Sequence, residues 1–414
     1  MHMKKLVIKD IGPIQSVSLD LKKINVVIGP QSAGKSCILK IACFCAWAEK
    51  RILLEQGKNG FANFSYVIDN LIVFHKLEGY IRYRSLIEYK SDYVHFICDF
   101  SKSTFDLTIF DGCWRYKRSK ISYIPSERNL VAAIPNWFEV KFDNTNIRNF
   151  IADWNGVRGM YSPGNMLDIL DLNVKYYYDA EASRDYVLLG DGNKVNLTNA
   201  SSGLQSVIPM WAYLKFLFDE QYSAKLPSNI VSDSENESVL FHIYEKRYKK
   251  SLEALASEED RYFGKVGRLT LPFKSQEDYK ECLKLYENFT RTAYSDIYLE
   301  EPEQNLFPLT QVELVQSLLK NASMHSDGLF IATHSPYLLY AINNYMLGYI
   351  VRDRLQDDDR KDCFVDPQNV AAWELRDGTV TPLQDEDGLI RGNYFDRVMK
   401  RVMSEFSNYA AYYG

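Results

Sequence analysis

Hydrophobic and polar residues alternate along the first part of the chain as they do in half-buried β-strands. Residues 3 to 28 predict two strands, one marked by Leu6 and Ile8 and the other a nearly continuous apolar run over Ile24–Ile28. Residues 37 to 50 are mostly apolar and contain neither glycine nor proline, so they predict a buried helix. Two later apolar runs, at 296–299 and 328–332, have the length of buried strands. This alternation predicts an α/β fold.

The segment from residue 216 to residue 290 has a helical period. Its apolar residues recur every three or four positions, at Leu240, Tyr244, Tyr248, Leu252 and Leu255 and again at Tyr279, Leu283, Tyr286 and Phe289. Ser275 and Asp278 are typical of a capped start for the second helix, and residues 264–272 are typical of a turn or short extended piece. We expect a helical hairpin that projects from a core formed by residues 1–215 and 291–414, with a basic face that is either solvated or a docking surface.

The loop before the first helix matches the pattern G-x-x-x-x-G-K-[ST]. Its residues are Gly29, Pro30, Gln31, Ser32, Ala33, Gly34, Lys35 and Ser36. Glycine lets backbone N–H groups approach a phosphate closely, the lysine reaches the β- and γ-phosphates, and the serine coordinates Mg²⁺. A glycine turn with an incidental lysine is the alternative, but the strand before the loop and the helix after it favour nucleotide binding.

Polar residues follow both of the later apolar runs. Glu300 and Glu301 end the first run, and His334 follows the second. Taken alone, the glutamates are more typical of a solvated acidic turn, and a single histidine is more often structural than catalytic. Ligands of open α/β sheets bind at the carboxyl ends of the strands. Convergence of the phosphate loop, the glutamates and His334 on one site is therefore the simpler hypothesis.

A serine-glycine segment formed by Ser201, Ser202 and Gly203 begins another apolar helix. It follows a predicted β-hairpin whose turn is at residues 190–193. A serine that only caps the helix is the ordinary interpretation. The same helix start can also bind a phosphate.

These motifs occur in an order that resembles a known class. The phosphate loop, Ser-Ser-Gly, the strand ending in Glu-Glu-Pro-Glu and then Thr-His-Ser-Pro resemble the ATP-binding-cassette (ABC) type ATPases of the structural-maintenance-of-chromosomes superfamily. More narrowly, the chain resembles the AAA-like ATPases of bacterial anti-phage systems, which include the ATPase part of overcoming-lysogenization-defect nucleases and subunits of phage-anti-restriction-induced, Septu and retron-linked systems. Residues 123–129 and 388–390 add to the similarity. The resemblance implies an ABC-type P-loop core with a mixed sheet and a helical insertion.

The resemblance also implies a role for each motif residue. Gly29–Ser36 would bind ATP, Ser36 and Glu300 would coordinate Mg²⁺, Glu301 would be the general base, and His334 would contact the γ-phosphate. Ser201, Ser202 and Gly203 would form the signature that contacts ATP bound to the opposite subunit. Two subunits would thus enclose two ATP molecules head to tail, in a homodimer or a higher homo-oligomer.

The sequence departs from the family pattern at three places. Glu300 stands where the family usually has aspartate, and Leu204 stands where it has a second glycine. The family's glutamine loop has no counterpart, because no glutamine occurs between Gln56 and Gln205. The resemblance therefore identifies no further metal-coordinating residue on that side of the site.

Charge and composition limit the partners. The net charge of -5 provides no overall basic field, so DNA is a possible but disfavoured partner that would need local patches such as 115–120 and 352–360. The chain has no apolar run of about 18 residues and no secretory pattern, so we expect a cytoplasmic protein that makes no membrane contact.

Seven scattered cysteines predict reduced thiols. The 80 residues after His334 lack a second acidic catalytic cluster, and the tyrosine spacing of the tail is typical of a packed helix.

Together these observations predict a Mg²⁺-dependent ATPase. Its head-to-tail dimerisation and ATP hydrolysis would gate a separate effector protein, a nuclease or a toxin, in bacterial anti-phage defence. Two alternatives stay open: an interaction scaffold that ATP clamps without hydrolysis, and a DNA repair or recombination ATPase.

Overall fold

Strands and helices alternate along the chain, as the hydrophobic pattern predicts. The computed structural model describes residues 4–134, 137–222, 233–250, 261–355 and 360–413. Within these ranges the strands are β1 (Lys4–Ile11), β2 (Ile14–Leu21), β3 (Ile24–Ile28), β4 (Ile81–Lys90), β5 (Val94–Asp99), β6 (Thr104–Ile109), β7 (Ser119–Ile124), β8 (Leu167–Asp168), β9 (Lys175–Asp179), β10 (Arg184–Leu188), β11 (Lys194–Asn196), β12 (Tyr262–Val266), β13 (Leu269–Phe273), β14 (Tyr294–Glu300), β15 (Gly328–Ala332), β16 (Val370–Arg376) and β17 (Thr379–Pro382).

The described helices range from single turns to more than five turns. They are α1 (Lys35–Glu55), α2 (Phe64–Val67), α3 (Leu130–Ala133), α4 (Asn146–Arg158), α5 (Ser202–Phe218), α6 (Asp233–Arg247), α7 (Gln276–Thr290), α8 (Pro308–His325), α9 (Pro336–Val351) and α10 (Tyr394–Ala410). A π-helical segment, Ile68–Val73, continues α2. None of the helices in the described ranges has the length and apolar character that crossing a membrane requires.

A six-stranded sheet positions the candidate site. Its strand order is β17-β16-β3-β15-β14-β7, with β16, β3, β15, β14 and β7 parallel and β17 antiparallel. Because parallel strands end at a common edge, the residues that follow β3, β15, β14 and β7 lie along one edge of the sheet. The predicted α/β fold with a mixed sheet is confirmed.

Both faces of this sheet are covered. Val27, Tyr298 and Phe330 belong to a hydrophobic cluster that also contains much of α1. Their neighbours Val26 and Ile331 belong to a second cluster, with residues of α5, α8 and α9. Strands that are buried on both faces need apolar residues at every position, which explains the uninterrupted apolar run of β3.

A second, antiparallel sheet contributes to the cluster around α1. Its strand order is β2-β1-β4-β5-β6. The expectation of two strands before the phosphate loop is wrong in number, because β1, β2 and β3 form three. The turn between β1 and β2 is only Gly12 and Pro13, and Ile11 pairs with Ile14 across it. With so short a turn, the alternating pattern continues almost unbroken from one strand into the next.

The segment from residue 216 to residue 290 contains a β-hairpin as well as helices. Strands β12 and β13 pair between α6 and α7, and Ser275 caps α7 by accepting a hydrogen bond from the Asp278 N–H at 3.2 Å, as predicted. Leu252 and Leu255 of the predicted stripe lie outside the described residues. Buried residues of α6, α7 and the hairpin belong to the same cluster as α1. The described part of the segment therefore packs against the core instead of projecting from it, because its buried apolar residues join the cluster around α1.

Other local predictions can be compared directly with the structure. The hairpin with its turn at 190–193 is present as β10 and β11, and all seven cysteines are free and buried. The packed tail helix is wrong, since α10 buries none of its residues. The tyrosine spacing defines an apolar face on α10, and from Met399 onward no other part of the described chain covers it.

Candidate functional site

The phosphate loop runs from the end of β3 to the start of α1. Its first glycine, Gly29, has φ 157°, and Gly34, the residue before the helix, has φ 108°. A Cβ atom on Gly29 would lie 2.3 Å from the Leu375 carbonyl oxygen, and one on Gly34 would lie 2.9 Å from Pro13 Cγ. Both positions thus exclude side chains, through backbone conformation and through close packing.

Lys35 lies inside this loop and is only 5% exposed. Its Nζ donates hydrogen bonds to the carbonyl oxygens of Gly29 at 3.0 Å and Pro30 at 2.8 Å. The same atom lies 3.4 Å from His334 Nδ1. Burial lowers the pKa of Lys35 to about 8, although the neighbouring carboxylates of Glu301, Glu303 and Glu300 oppose this shift. An ammonium group held in this way is ready to exchange its carbonyl partners for phosphate oxygens.

Glu300 and Glu301 have different partners although they are adjacent. Glu300 is the last residue of β14 and is 6% exposed, and its Oε2 accepts a hydrogen bond from the Tyr123 hydroxyl at 2.6 Å. Glu301 has φ 43°, and its N–H donates to the Ala332 carbonyl at 2.9 Å. A positive φ is uncommon outside glycine and marks a chain reversal imposed by the surroundings. The turn ends the strand between the two carboxylates.

His334 connects the lysine to the second carboxylate. It follows β15, and its Nε2 lies 3.2 Å from Glu301 Oε1 while Nδ1 faces Lys35. Its backbone N–H donates to Glu303 Oε1 at 2.6 Å. The hydrogen bond from His334 lowers the pKa of Glu301, and the positive charges of Lys35 and Arg128 act in the same direction. Glu301 is therefore ionised at neutral pH.

A buried arginine fixes the backbone behind the two carboxylates. Arg128, 1% exposed, donates from its guanidinium to the carbonyl oxygens of Glu300 at 2.8 Å and Glu301 at 2.7 Å. It also donates to the carbonyls of Pro125 at 3.2 Å and Ser206 at 3.3 Å. These four contacts join the end of β7, the end of β14 and helix α5. Burial lowers the pKa of Arg128 to about 10, still far above neutral pH.

The serine-glycine segment forms the exposed start of α5. Ser201 caps the helix, accepting a hydrogen bond from the Leu204 N–H at 3.4 Å, and Ser202 is exposed. A Cβ atom on Gly203 would lie 2.9 Å from the Asn305 carbonyl oxygen, so the helix start lies against the loop that follows Glu303. The segment therefore lies beside Asn305, and Ser206 on the same helix is joined through Arg128 to the end of β14.

The structure brings some of the predicted residues together and leaves others apart. Lys35, His334 and Glu301 form one connected group, with Ser36 next to Lys35 on α1 and Glu300 next to Glu301. Ser201, Ser202 and Gly203 make none of the contacts that join this group. Strand β7 lies beside the strand of Glu300, and after β7 the residue that follows Pro125 is Ser126 and not a glutamine.

Sequence reasoning missed Tyr123, Arg128 and Glu303. The segment 123–129 was noted as part of the family resemblance, and Glu303 belongs to the Glu-Glu-Pro-Glu motif, but neither observation assigns a role. Burial raises the pKa of Glu303, although its hydrogen bond from the His334 N–H opposes this. These three residues contact the predicted site residues, and only the folded structure shows which residue each of them contacts.

Comparisons with known proteins give matches among solved structures. No family model and no curated protein matches the chain. Among solved structures, the SMC head domain from Thermotoga maritima is 10% identical with a TM-score of 0.38, and the match covers 93% of this chain and 100% of that one. The recombination mediator protein RecF with ATPγS is 11% identical with a TM-score of 0.28, covering 92% of this chain and 98% of that one.

An ATP-binding cassette of an ABC transporter, MJ1267, is similar at the same level. It is 12% identical with a TM-score of 0.28, and the match covers 92% of this chain and 90% of that one.

Proposed function

We propose that the chain is a Mg²⁺-dependent ATP hydrolase of the ABC type. The observation that carries this proposal is the connected group of Lys35, His334 and Glu301 at the mouth of a glycine phosphate loop. Lys35 neutralises charge on the β- and γ-phosphates, and His334 contacts the γ-phosphate. Glu301 orients the attacking water and accepts its proton. Because the pKa of Glu301 is lowered, it is in the ionised form that this role requires.

The residues present suit both ATP and Mg²⁺. The strand, the two glycines without room for a side chain and the helix start at Lys35 together form a cradle of backbone N–H groups for phosphate. Among the described residues, no three His, Cys, Asp or Glu side chains are grouped so that they could bind a metal by themselves. Ser36 and Glu300 would supply two oxygen ligands, and phosphate and water the others. Bound there, Mg²⁺ would neutralise charge on the transferred phosphate.

We further propose that two copies bind ATP head to tail. Ser201, Ser202 and Gly203 form an exposed helix start, which favours an anion. In the resembling ATPases this signature contacts the nucleotide of the opposite subunit. Arg128 joins the signature helix to the carbonyls of Glu300 and Glu301. Binding of a second subunit at α5 would thereby affect the position of the catalytic carboxylates.

The cellular role that we propose is ATP-gated control of an effector protein, a nuclease or a toxin, in bacterial anti-phage defence. Only the sequence resemblance supports this step. A DNA partner is not favoured, since part of the basic stretch 115–120 is already engaged: Arg118 is buried and pairs with Glu235, and Lys120 pairs with Asp153. Protection of cells against phage that disappears in a Glu301→Gln strain would support the role, and equal protection by both strains would contradict it.

Hydrolysis itself is tested with two lysines of the same helix. Lys35→Met should abolish ATP binding and reduce phosphate release at least about 100-fold, because the ammonium that neutralises the phosphates is lost. The matched control is Lys50→Met, since the Lys50 Nζ also donates to a carbonyl, that of Ser119 at 2.7 Å, but at the other end of α1. This control should lose stability and keep its kcat. Similar losses of activity in both variants would contradict the assignment.

The head-to-tail arrangement is tested by mixing two inactive variants. Lys35→Met disables the phosphate loop, and Ser202→Glu places a negative charge at the signature. A mixed dimer would contain one intact composite site, so the mixture should recover about a quarter of the wild-type rate. Absence of any recovery would contradict the arrangement, provided that each variant folds as judged by its thermal unfolding.

A further inference from the structure

Helix α10 is an exposed amphipathic helix. Within the part of the chain that the structure describes, its first turn makes the attachment: Tyr394 and Phe395 pack partly against the core, the Tyr340 hydroxyl donates to Asp396, and Arg397 forms an ion pair with Glu374. From Met399 to Tyr413 every residue is exposed. Isolated helices of this length are marginal in water, and a helix with one apolar face is normally stabilised by packing that face against a partner.

The apolar face of α10 has a regular spacing. The residues of this face, which we call the α10 stripe, are separated by intervals of three, four and three positions, and they are Met399, Val402, Phe406 and Tyr409. This is the heptad spacing with which one helix packs along another. Met399 is 62% exposed, Phe406 68% and Tyr409 74%. The spacing indicates that the missing partner is itself a helix.

The exposed area is large enough for a stable interface. An aromatic side chain carries roughly 150–250 Å² of surface. Together, the α10 stripe, the adjacent Met403 and the exposed Tyr412 and Tyr413 after the helix therefore expose on the order of 1,000 Å². Apolar patches on monomers rarely exceed a few hundred Å². One partner contributes about 800 Å² to a standard protein interface. The stripe therefore offers the area of a complete half-interface.

We propose that the α10 stripe binds the same stripe of a second copy of this chain. A helix with heptad spacing offers an identical partner the same complementary surface, and a two-fold pair of such helices is a closed interface. Its charged residues are mixed, with Arg397, Lys400 and Arg401 against Asp396 and Glu405. Mixed charge lets two copies approach, whereas a helix that lies on a membrane surface is usually rich in basic residues.

This interface goes beyond the proposed ATPase function and is independent of nucleotide. None of the α10 stripe belongs to the phosphate loop, the carboxylate pair or the signature. The chain would form a dimer through α10 without ATP and use the signature face for a second, ATP-dependent contact. Copies with two different interfaces would assemble into complexes larger than a dimer when ATP is bound.

Sedimentation velocity of the full chain without nucleotide tests the proposal. The wild type should be a dimer, and Met399→Glu combined with Phe406→Glu should raise the dimer Kd at least about 100-fold, because two charges would be buried. The matched control is Ser404→Glu with Asn408→Glu, which adds the same charge on the opposite face of α10 and should leave the dimer intact. A monomeric wild type, or equal dissociation of both variants, would overturn the proposal.

Two further measurements keep this test separate from the ATPase proposal. Lys35→Met should remain a dimer through α10, because that variant affects only the nucleotide site; its dissociation would overturn the proposed interface. Wild-type protein should not co-sediment with vesicles of phosphatidylserine and phosphatidylcholine. Co-sedimentation of a monomeric wild type would identify a membrane surface as the occupant instead.

Discussion

Arg128→Lys is the substitution that tests most sharply how the carboxylates are positioned. The guanidinium of Arg128 donates to four backbone carbonyls, those of Pro125, Ser206, Glu300 and Glu301. Lysine keeps the positive charge but has a single compact ammonium group in place of the planar fork. It cannot reach carbonyls from three different elements at once. The carbonyls of Glu300 and Glu301 should therefore lose part of their fixed geometry.

Two opposing contributions determine how much Arg128→Lys changes the free energy of unfolding. Each hydrogen bond to a charged group contributes about 1.5–3 kcal/mol, and two or three of the four would be lost. In the other direction, burial of the Arg128 charge is unfavourable, since its pKa falls from 12.5 to about 10, which corresponds to about 3 kcal/mol. Lysine remains charged in the same place and recovers little of this cost. We expect a net loss of at least about 3 kcal/mol in the free energy of unfolding.

The kinetic effect should be confined to turnover. Because a displacement of about 1 Å at a reacting group can cost about 100-fold in rate, we expect kcat to fall 10- to 100-fold. The Kd for ATP should change less than about threefold, since the hydrogen-bond partners of Arg128 lie outside the phosphate loop. Steady-state phosphate release gives kcat, and equilibrium binding of ATP gives Kd.

Arg118→Lys provides the matched control. Arg118 is also buried, at the other end of β7, and donates to the Phe289 carbonyl and the Glu235 carboxylate at 3.5 Å each. Its replacement should lower stability and leave kcat unchanged. The reasoning is refuted if Arg128→Lys loses stability with a wild-type kcat, or if both arginine variants lose kcat equally.

Two further predictions concern pH. Lys35, with a pKa of about 8 in the free protein, must be protonated to bind phosphate, so the Kd for ATP should rise about tenfold per pH unit above pH 8 with uptake of a proton. Calorimetry in two buffers of different ionisation enthalpy measures this uptake, and its absence at pH 9 would contradict the prediction. His75 is buried, and burial lowers its pKa from 6.5 to about 3. Between pH 6.5 and 3, His75 is therefore protonated in the unfolded chain and neutral in the folded chain. Each pH unit of acidification in this interval lowers the free energy of unfolding by about 1.4 kcal/mol. In His75→Phe the loss of stability over this interval should be smaller than in the wild type, as urea unfolding at several pH values would show; parallel curves would contradict this.

Local sequence patterns were sufficient for much of the fold. The phosphate loop, the apolar strands and the serine caps of α5 and α7 are encoded within a few neighbouring residues. The turn between β1 and β2 was missed because two residues hardly interrupt an alternating pattern. The exposed face of α10 was read as a packed face because periodicity shows which residues need a partner and not where the partner lies.

The inner part of the site could not be predicted in the same way. Arg128 lies 172 and 173 positions from the two glutamates whose carbonyls it contacts, and 78 positions from Ser206. Tyr123 is 177 positions from Glu300. Contacts over such separations leave no local period or motif, and they are determined by the order of strands in the sheet. The neighbouring positions of β7 and β14 bring these residues together.

The most direct test of the central claim is ATP hydrolysis by Glu301→Gln, compared with the wild type under saturating ATP and Mg²⁺. Glutamine preserves the size of the side chain and removes the base, so phosphate release should fall at least about 100-fold. The Kd for ATP should stay within about threefold, and the ATP-dependent contact between subunits should persist. Equal turnover in the two proteins, or no turnover above background in the wild type, would contradict an ATPase with Glu301 as its base.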